Sequence, residues 1–244
     1  MPTIFLQDAW SFAIDQFDTI DLDKSTQIYD ELISLYITPN RTYHTITHIE
    51  NMVNSIYELL KIYSFNNHDI RKAELIFAAF FHDAIYNPTT HDTYVPEDQD
   101  SDEVLSAKIA IKSLKFMGLD NIHSLSHIYE LIALTDGHKI DPNLHTELLI
   151  QEIFVDSDIS ILGAIKPKYY EYKTGIWKEY THINVDRFIA GRLEFLTQYI
   201  KKKAIFNTEY MNQMYNEQAY ININGEITEL DSMNAEELIR TIEG

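Results

Sequence analysis

The sequence predicts an all-α protein, and two observations carry that expectation. Glycine occurs 7 times in 244 residues, well under the usual ~7%, and the closest pair, Gly163 and Gly175, are twelve positions apart. The hairpins of a β-rich fold would consume more glycine in their turns. Six prolines, at 2, 39, 88, 96, 142 and 167, fall between stretches that read as helices, where a missing amide proton does little harm.

The stretches follow in order. A helix is expected near 26–37, then a long one over 43–63. There Ile46, Ile49, Met52, Val53, Ile56, Leu59, Leu60 and Tyr63 recur at three- and four-residue steps and so share one face. The next runs from about 69 to 86, and its centre, LIFAAFF, is apolar all round, the mark of a helix buried on every side. Further helices are expected near 102–117, 122–135, 146–154, 168–181, 185–203 and 207–223, with a short one after Ser232. The conspicuous loop is 87–101, which together with Asp102 and Glu103 holds six acidic residues and no basic one between Asp92 and Glu103. It reads either as a solvated excursion or as a lid over a site. No Ser- or Gly-rich linker divides the chain, so one helical domain over 1–244 is expected.

Composition narrows the function. The scattered glycines exclude a Walker loop and a dinucleotide-binding fingerprint, which need clustered glycines so that backbone amides approach phosphates. With 38 acidic against 19 basic residues the formal net charge is −19, which opposes broad contact with a nucleic-acid backbone or an anionic membrane. A small anionic substrate is compatible, because fields decay over ~8 Å at physiological salt. Zero cysteines leave His, Asp and Glu as the available metal ligands. The N-terminus has no Lys or Arg before Lys24 and the longest apolar run, Leu75 to Phe81, is seven residues, so a soluble, cytoplasmic protein is expected.

Three clusters point to chemistry. His82-Asp83 follows directly on the apolar run. An ionised carboxylate buried there costs several kcal/mol unless it is paired or binds a cation. Alternatively the helix has reached the surface, with a histidine favourably placed near its C-terminal end. In RTYHTITHIENM, from Arg41 to Met52, His44 and His48 are four apart and so lie on one helix face, a common metal-ligand spacing. His123 and His127 share that spacing, and there a solvated or capping role is expected; His68, His91, His145 and His182 read as loop or helix-end residues. In FVDSDISILG, from Phe154 to Gly163, two carboxylates, Asp156 and Asp158, interrupt an apolar stretch.

A histidine on one helix, His-Asp on the next and an aspartate far downstream resemble the HD superfamily of metal-dependent phosphohydrolases. The resemblance extends to AAFFHDAIYNP, DEVLSA, LIALTDGH, an EY pair, FIAGR and NEQAYININGEI, in order over roughly 36–226. It implies a helical bundle of the HD-domain type in which His48, His82, Asp83 and Asp158 bind a divalent cation, with Asp156 an outer partner or an alternative ligand. Such ligands are compatible with Mn, Mg, Fe, Zn, Co or Ni. The ion would polarise a phosphoryl oxygen and lower the pKa of bound water. Residues around it are candidates for further roles. Arg41 is a candidate phosphate clamp, because guanidinium fits phosphate oxygens as a fork, and Tyr43 and His44 are candidate contacts to substrate or to the attacking water, unless Tyr43 merely packs. Glu103 is either a general acid or base or a helix N-terminal carboxylate. His138 is assigned to substrate or to a second ion. Lys173 and Arg192 stand on the phosphate side or in structural ion pairs. One departure is Trp177, which stands where the family usually has an arginine. The implied function is hydrolysis of a phosphate ester or anhydride in a small metabolite, a nucleotide first of all. The alternatives are an HD-type di-iron oxygenase, with His44 and His138 as extra ligands, and a nucleotide-binding regulatory module with vestigial catalysis.

Overall fold

The computed structural model describes residues 5–65, 68–87 and 100–232. The helices are α1 (Leu6–Ile14), α2 (Leu22–Tyr36), α3 (Ile46–Ile62), α4 (Asp69–Phe81), α5 (Asp102–Met117), α6 (Ile122–Ala133) and α7 (Leu148–Asp158). A short 3-10 helix, Ile159–Gly163, precedes α8 (Lys166–Glu179), α9 (Val185–Ile200) and α10 (Glu209–Ser232). No strand occurs among the described residues, and none of their helices is long and apolar enough to cross a membrane. The acidic loop, over 88–99, and the short helix expected after Ser232 lie outside the described residues.

Side chains set the ends of several helices. Asp21 accepts hydrogen bonds from the Asp23 and Lys24 amides at the start of α2, Ser101 from Val104 at α5, Asn121 from His123 and Ser124 at α6, and Asn184 from Asp186 and Arg187 at α9. Such caps each contribute ~1 kcal/mol. Helix α5 stops at Gly118, whose φ of 105° is left-handed. A Cβ there would also lie 2.3 Å from the Thr19 carbonyl oxygen, so glycine is required on two counts.

The described residues form two compact units, one of 5–65, 68–86 and 100–158 and the other of 159–232 with Asn87. In the first, α4 packs against α1, α3, α5, α6 and α7. That is why its sequence is apolar all round: every residue from Ala73 to Phe81 is buried. The polar exception is Glu74, whose Oε2 accepts from Arg71 Nη1 at 2.7 Å while Arg71 also pairs with Glu147 at 3.0 Å. His127 Nδ1 stands 3.3 Å from the same Glu74 oxygen. His127 is therefore a buried member of an ion cluster, against the solvated or capping role expected of it. The spacing with His123 says nothing about this, because the partners come from α4.

Helix α1 was not among the expected elements. Its buried stripe of Leu6, Ala9, Trp10 and Ala13 includes two alanines and spans nine residues, a weak periodic signal. Trp10 anchors it, with its indole N–H on Ser25 Oγ at 2.9 Å and its ring against Phe77 and Phe80.

In the second unit, α10 packs on the 3-10 helix and on α9, and α8 on the 3-10 helix. Helix α10 continues past 223, through Asn222-Ile-Asn-Gly225, which reads in sequence as a stop. The Asn222 amide instead donates to the carbonyls of Leu162 at 2.9 Å and Ala164 at 2.7 Å, a tertiary role that propensity does not reveal. Arg192 and Glu226 form a buried pair, Nε to Oε1 2.8 Å and Nη2 to Oε2 3.2 Å, and the Tyr169 hydroxyl donates to Oε2 at 2.6 Å. Burial pushes the Glu226 carboxyl up, but Arg192 and the Tyr169 hydroxyl outweigh it and hold the carboxyl below its ordinary value of 4.5. The folded chain therefore takes up this proton less readily than the unfolded one. The contribution of Glu226 to stability is complete above that ordinary value and is lost as pH falls through the depressed folded one. Thermal denaturation from pH 7 to 3 should show an acid limb that Glu226→Gln flattens; an unchanged limb would assign it to other carboxylates.

Candidate metal centre

The site is built where three helix ends of the first unit meet. His48 lies in the first turn of α3, a helix anchored by Ile49, Met52, Val53 and Ile56. His82 is the residue on which α4 ends, still in right-handed helical conformation, and Asp83 follows it. Asp158 is the last residue of α7. The packing of α3 and α7 on each other and on α4 brings these ends together.

Their donor atoms converge. His48 Nε2 and His82 Nε2 are 3.1 Å apart. Asp83 Oδ2 lies 3.0 Å from His82 Nε2 and 3.7 Å from His48 Nε2. Asp158 Oδ1 lies 3.2 Å from His48 Nε2 and 3.6 Å from His82 Nε2. Neighbouring ligand atoms held ~2.0–2.2 Å from one ion stand roughly 2.8–3.6 Å apart in octahedral or tetrahedral array. The group of His48, His82 and Asp83 can therefore hold a metal ion.

Chemistry agrees with the spacing. His82 Nδ1 is 2.9 Å from the Ala79 carbonyl oxygen, which only accepts, so Nδ1 carries its proton there and Nε2 is left to face the cluster. Asp83 Oδ2 is buried and makes no aligned hydrogen bond. Lone pairs and carboxylate oxygens at such distances repel unless a cation or protons lie among them. Burial pushes the His82 imidazole down, but Asp83 and Asp158, with the bond to Ala79, raise it to about 9. Burial pushes Asp83 up, and His82, His44 and His48 outweigh it and hold the carboxyl well below the usual range. Asp158 behaves in the same way, through His82, His138 and His48. The pocket demands positive charge.

The other candidates fall into place around this cluster or apart from it. His138 Nε2 is 2.9 Å from Asp158 Oδ2. His44 acts electrostatically on Asp83, and its ring packs 4.3 Å from Tyr86 and 4.9 Å from Tyr43, which in turn lies 5.1 Å from His48. Glu103 sits in the first turn of α5, near enough to Asp83 and Asp136 to feel both. Burial and those two charges push its carboxyl up, against the pull of its own amide and the Ser101 hydroxyl. Asp156 is fully buried on α7, and Asp158 is the one that presents an oxygen to His48 and His82.

Arg41 is committed to backbone. Its Nη2 donates to the carbonyls of Asp83 at 2.8 Å and Ala84 at 3.4 Å, its Nη1 to that of His44 at 3.3 Å, and the guanidinium lies over the rings of Tyr36 and Tyr86. It braces the turn that carries Asp83. Arg41→Lys cannot serve three carbonyls with one compact ammonium, and a lost charged hydrogen bond costs ~1.5–3 kcal/mol. Its unfolding midpoint should fall accordingly; a wild-type midpoint would show the brace to be dispensable. Lys173 and Arg192 belong to the second unit. Lys173 pairs with Glu229 and lies over the rings of Tyr170 and Trp177, and Arg192 is engaged by Glu226 and the Tyr172 hydroxyl.

Two positioning residues carried no role in the sequence reading. The Tyr36 hydroxyl donates to the Phe80 carbonyl at 2.9 Å. Ser106 Oγ accepts from the Ile85 amide at 2.9 Å and donates to the Ile85 carbonyl at 3.3 Å. Together they pin the segment on either side of His82-Asp83. Ser106 lies inside DEVLSA, but a serine within a helix carries no signal of such a contact. Comparison with known proteins adds no relative: no family model, no curated protein and no solved structure matches the chain.

Proposed function

We propose that the protein is a metal-dependent phosphohydrolase of the HD type, acting on a phosphate ester or anhydride in a small metabolite, with a nucleotide as the leading class. The observation that carries the proposal is the convergence of His48, His82 and Asp83, whose donor atoms stand 3.0 to 3.7 Å apart, with Asp158 Oδ1 3.2 Å from His48 Nε2 and 3.6 Å from His82 Nε2. The resemblance of the ordered motifs supplies the reaction class. In this reading those four residues hold one divalent cation, which supplies a Lewis acid for the phosphoryl group and brings the pKa of water towards neutrality.

The chain's own groups do the rest. Glu103, whose carboxyl burial pushes up from its ordinary value, is the candidate to pass a proton to a leaving oxygen. His44, half-buried beside Asp83, is the second group placed to accept or donate a proton. Arg41 keeps the Asp83 turn in place and so acts through Asp83. A net charge of −19 favours a small substrate held at a local positive centre over a long polyanion.

The test is to strip the protein of metal, restore Mn, Mg, Fe, Zn, Co and Ni in turn, and screen each form for phosphate release from nucleotides and phosphometabolites. Metal-dependent turnover that Glu103→Gln reduces while metal content stays unchanged is the expected result. Stoichiometric metal without turnover on any phosphate compound would overturn the hydrolase reading and leave a binding module.

A further inference from the structure

We propose that His138 is a positioning residue that fixes the rotation of the Asp158 carboxylate, so that Oδ2 is occupied and Oδ1 alone is turned to the cluster. The proposal rests on the reading of that cluster as a metal site. It differs from a role for His138 as a ligand or a substrate contact.

The geometry divides the labour of one carboxylate. Asp158 Oδ2 is 2.9 Å from His138 Nε2, while Oδ1 is 3.2 Å from His48 Nε2 and 3.6 Å from His82 Nε2. Read as a hydrogen bond, this contact has the carboxylate as acceptor, so His138 Nε2 carries the proton. A nitrogen that donates to Asp158 has no lone pair to give an ion. Histidine Nε2 in this role is the outer partner of a ligand, and it removes the freedom of Asp158 to bind through both oxygens.

The backbone supports the same conclusion. Helix α6 ends at Ala133, and the chain then turns through Gly137 and His138, which have φ of 76° and 52°. Left-handed conformation is natural for Gly137, where a Cβ would meet nothing closer than the Lys139 side chain at 3.8 Å. For histidine it is strained. Of the described non-glycine residues, Ser64 and His138 have positive φ. A strained residue that persists beside a buried charged cluster calls for a compensating contact, and the bond to Asp158 provides one.

Three variants of the full chain separate the side chain from the backbone, with Co(II) as the probe. His138→Gly relieves the left-handed strain but removes the donor. His138→Asn tolerates the backbone conformation but is too short to reach Asp158. His138→Gln keeps a terminal N–H donor at similar reach. Apo unfolding midpoints close to wild type are expected for the glycine and asparagine variants, with Co(II) affinity 10- to 100-fold weaker and an altered visible absorption spectrum of the Co(II) form. The glutamine variant should recover most of the affinity and the wild-type spectrum. Wild-type affinity and spectrum in both the glycine and asparagine variants would overturn the positioning role while leaving the metal reading intact. Failure of the wild type to take up any divalent cation would overturn the metal reading itself, and this proposal with it.

Discussion

Asp83→Asn and His82→Ala are each expected to abolish binding of divalent metal while leaving the helices in place. Asn keeps the shape of Asp83 but removes the negative charge, and its amide adds N–H groups where lone pairs should face an ion. His82→Ala deletes an imidazole whose Nε2 lies within 3.1 Å of His48 Nε2 and 3.0 Å of Asp83 Oδ2. The fold should survive both, because α4 is held by the apolar residues Ala73 and Leu75 to Phe81, which touch five other helices. A ligand that binds the folded state alone stabilises it by ~2.7 kcal/mol at a hundred times its Kd. Wild-type protein should therefore gain thermal stability on titration with the preferred cation, and either variant should gain none. Metal content by elemental analysis gives the same answer independently. Full retention of metal would refute the assignment, and collapse of the helical circular-dichroism signal would make these residues structural.

How much of this was legible in the sequence depends on the range of the forces concerned. Helix identity is local: α3 and α4 follow from three- and four-residue apolar steps and from an all-apolar run, but α3 begins at Ile46, so His44 precedes it rather than sharing a helix face with His48, and α4 stops at Phe81 rather than near 86. Helix α1 was missed because its stripe is short and half alanine; what fixes it is Trp10, whose partners Ser25, Phe77 and Phe80 are remote in sequence. That α10 runs on past 223 was missed for the same kind of reason. Asn and Gly near 222–225 are stop signals on propensity, yet Asn222 is spent on the carbonyls of Leu162 and Ala164. The division into two units was also silent, since no linker composition marks the boundary at Asp158 and Ile159.

At the site, residue types were more informative than residue roles. His82-Asp83 and the pair Asp156 and Asp158 stood out because ionisable groups interrupt apolar stretches, where a charge demands a partner; His48 stood out by its four-residue spacing from His44, and the family resemblance singled out the set of four. The partners that orient them did not stand out. Tyr36, Ser106 and Ala79 act through a hydroxyl or a backbone carbonyl, groups found throughout any sequence. Arg41 was noticed for the fit of guanidinium to phosphate, and the same planar fork suits the carbonyls of Asp83, Ala84 and His44. Sequence could not choose between these, since both need the same donor geometry and differ only in what packs nearby.

The choice between Asp156 and Asp158 is where geometry sharpens a question that sequence left open. On α7 the two are two positions apart, so their side chains leave the helix about 200° apart at ~100° per residue, and one ion cannot take both. Asp158 puts Oδ1 3.2 Å from His48 Nε2, whereas Asp156, wholly buried, lies close enough to Glu152 to raise its carboxyl along with burial. Asp158→Asn should therefore weaken metal binding by more than the 10- to 100-fold typical of an outer partner, since it removes a ligand charge and also the acceptor that holds His138. Asp156→Asn should lose at most that outer-partner range. Isothermal titration of both variants with the same cation ranks them directly. If Asp156→Asn is the more damaging, the ligand assignment on α7 is reversed; if neither changes affinity, the end of α7 is structural and the cation is held by His48, His82 and Asp83 alone.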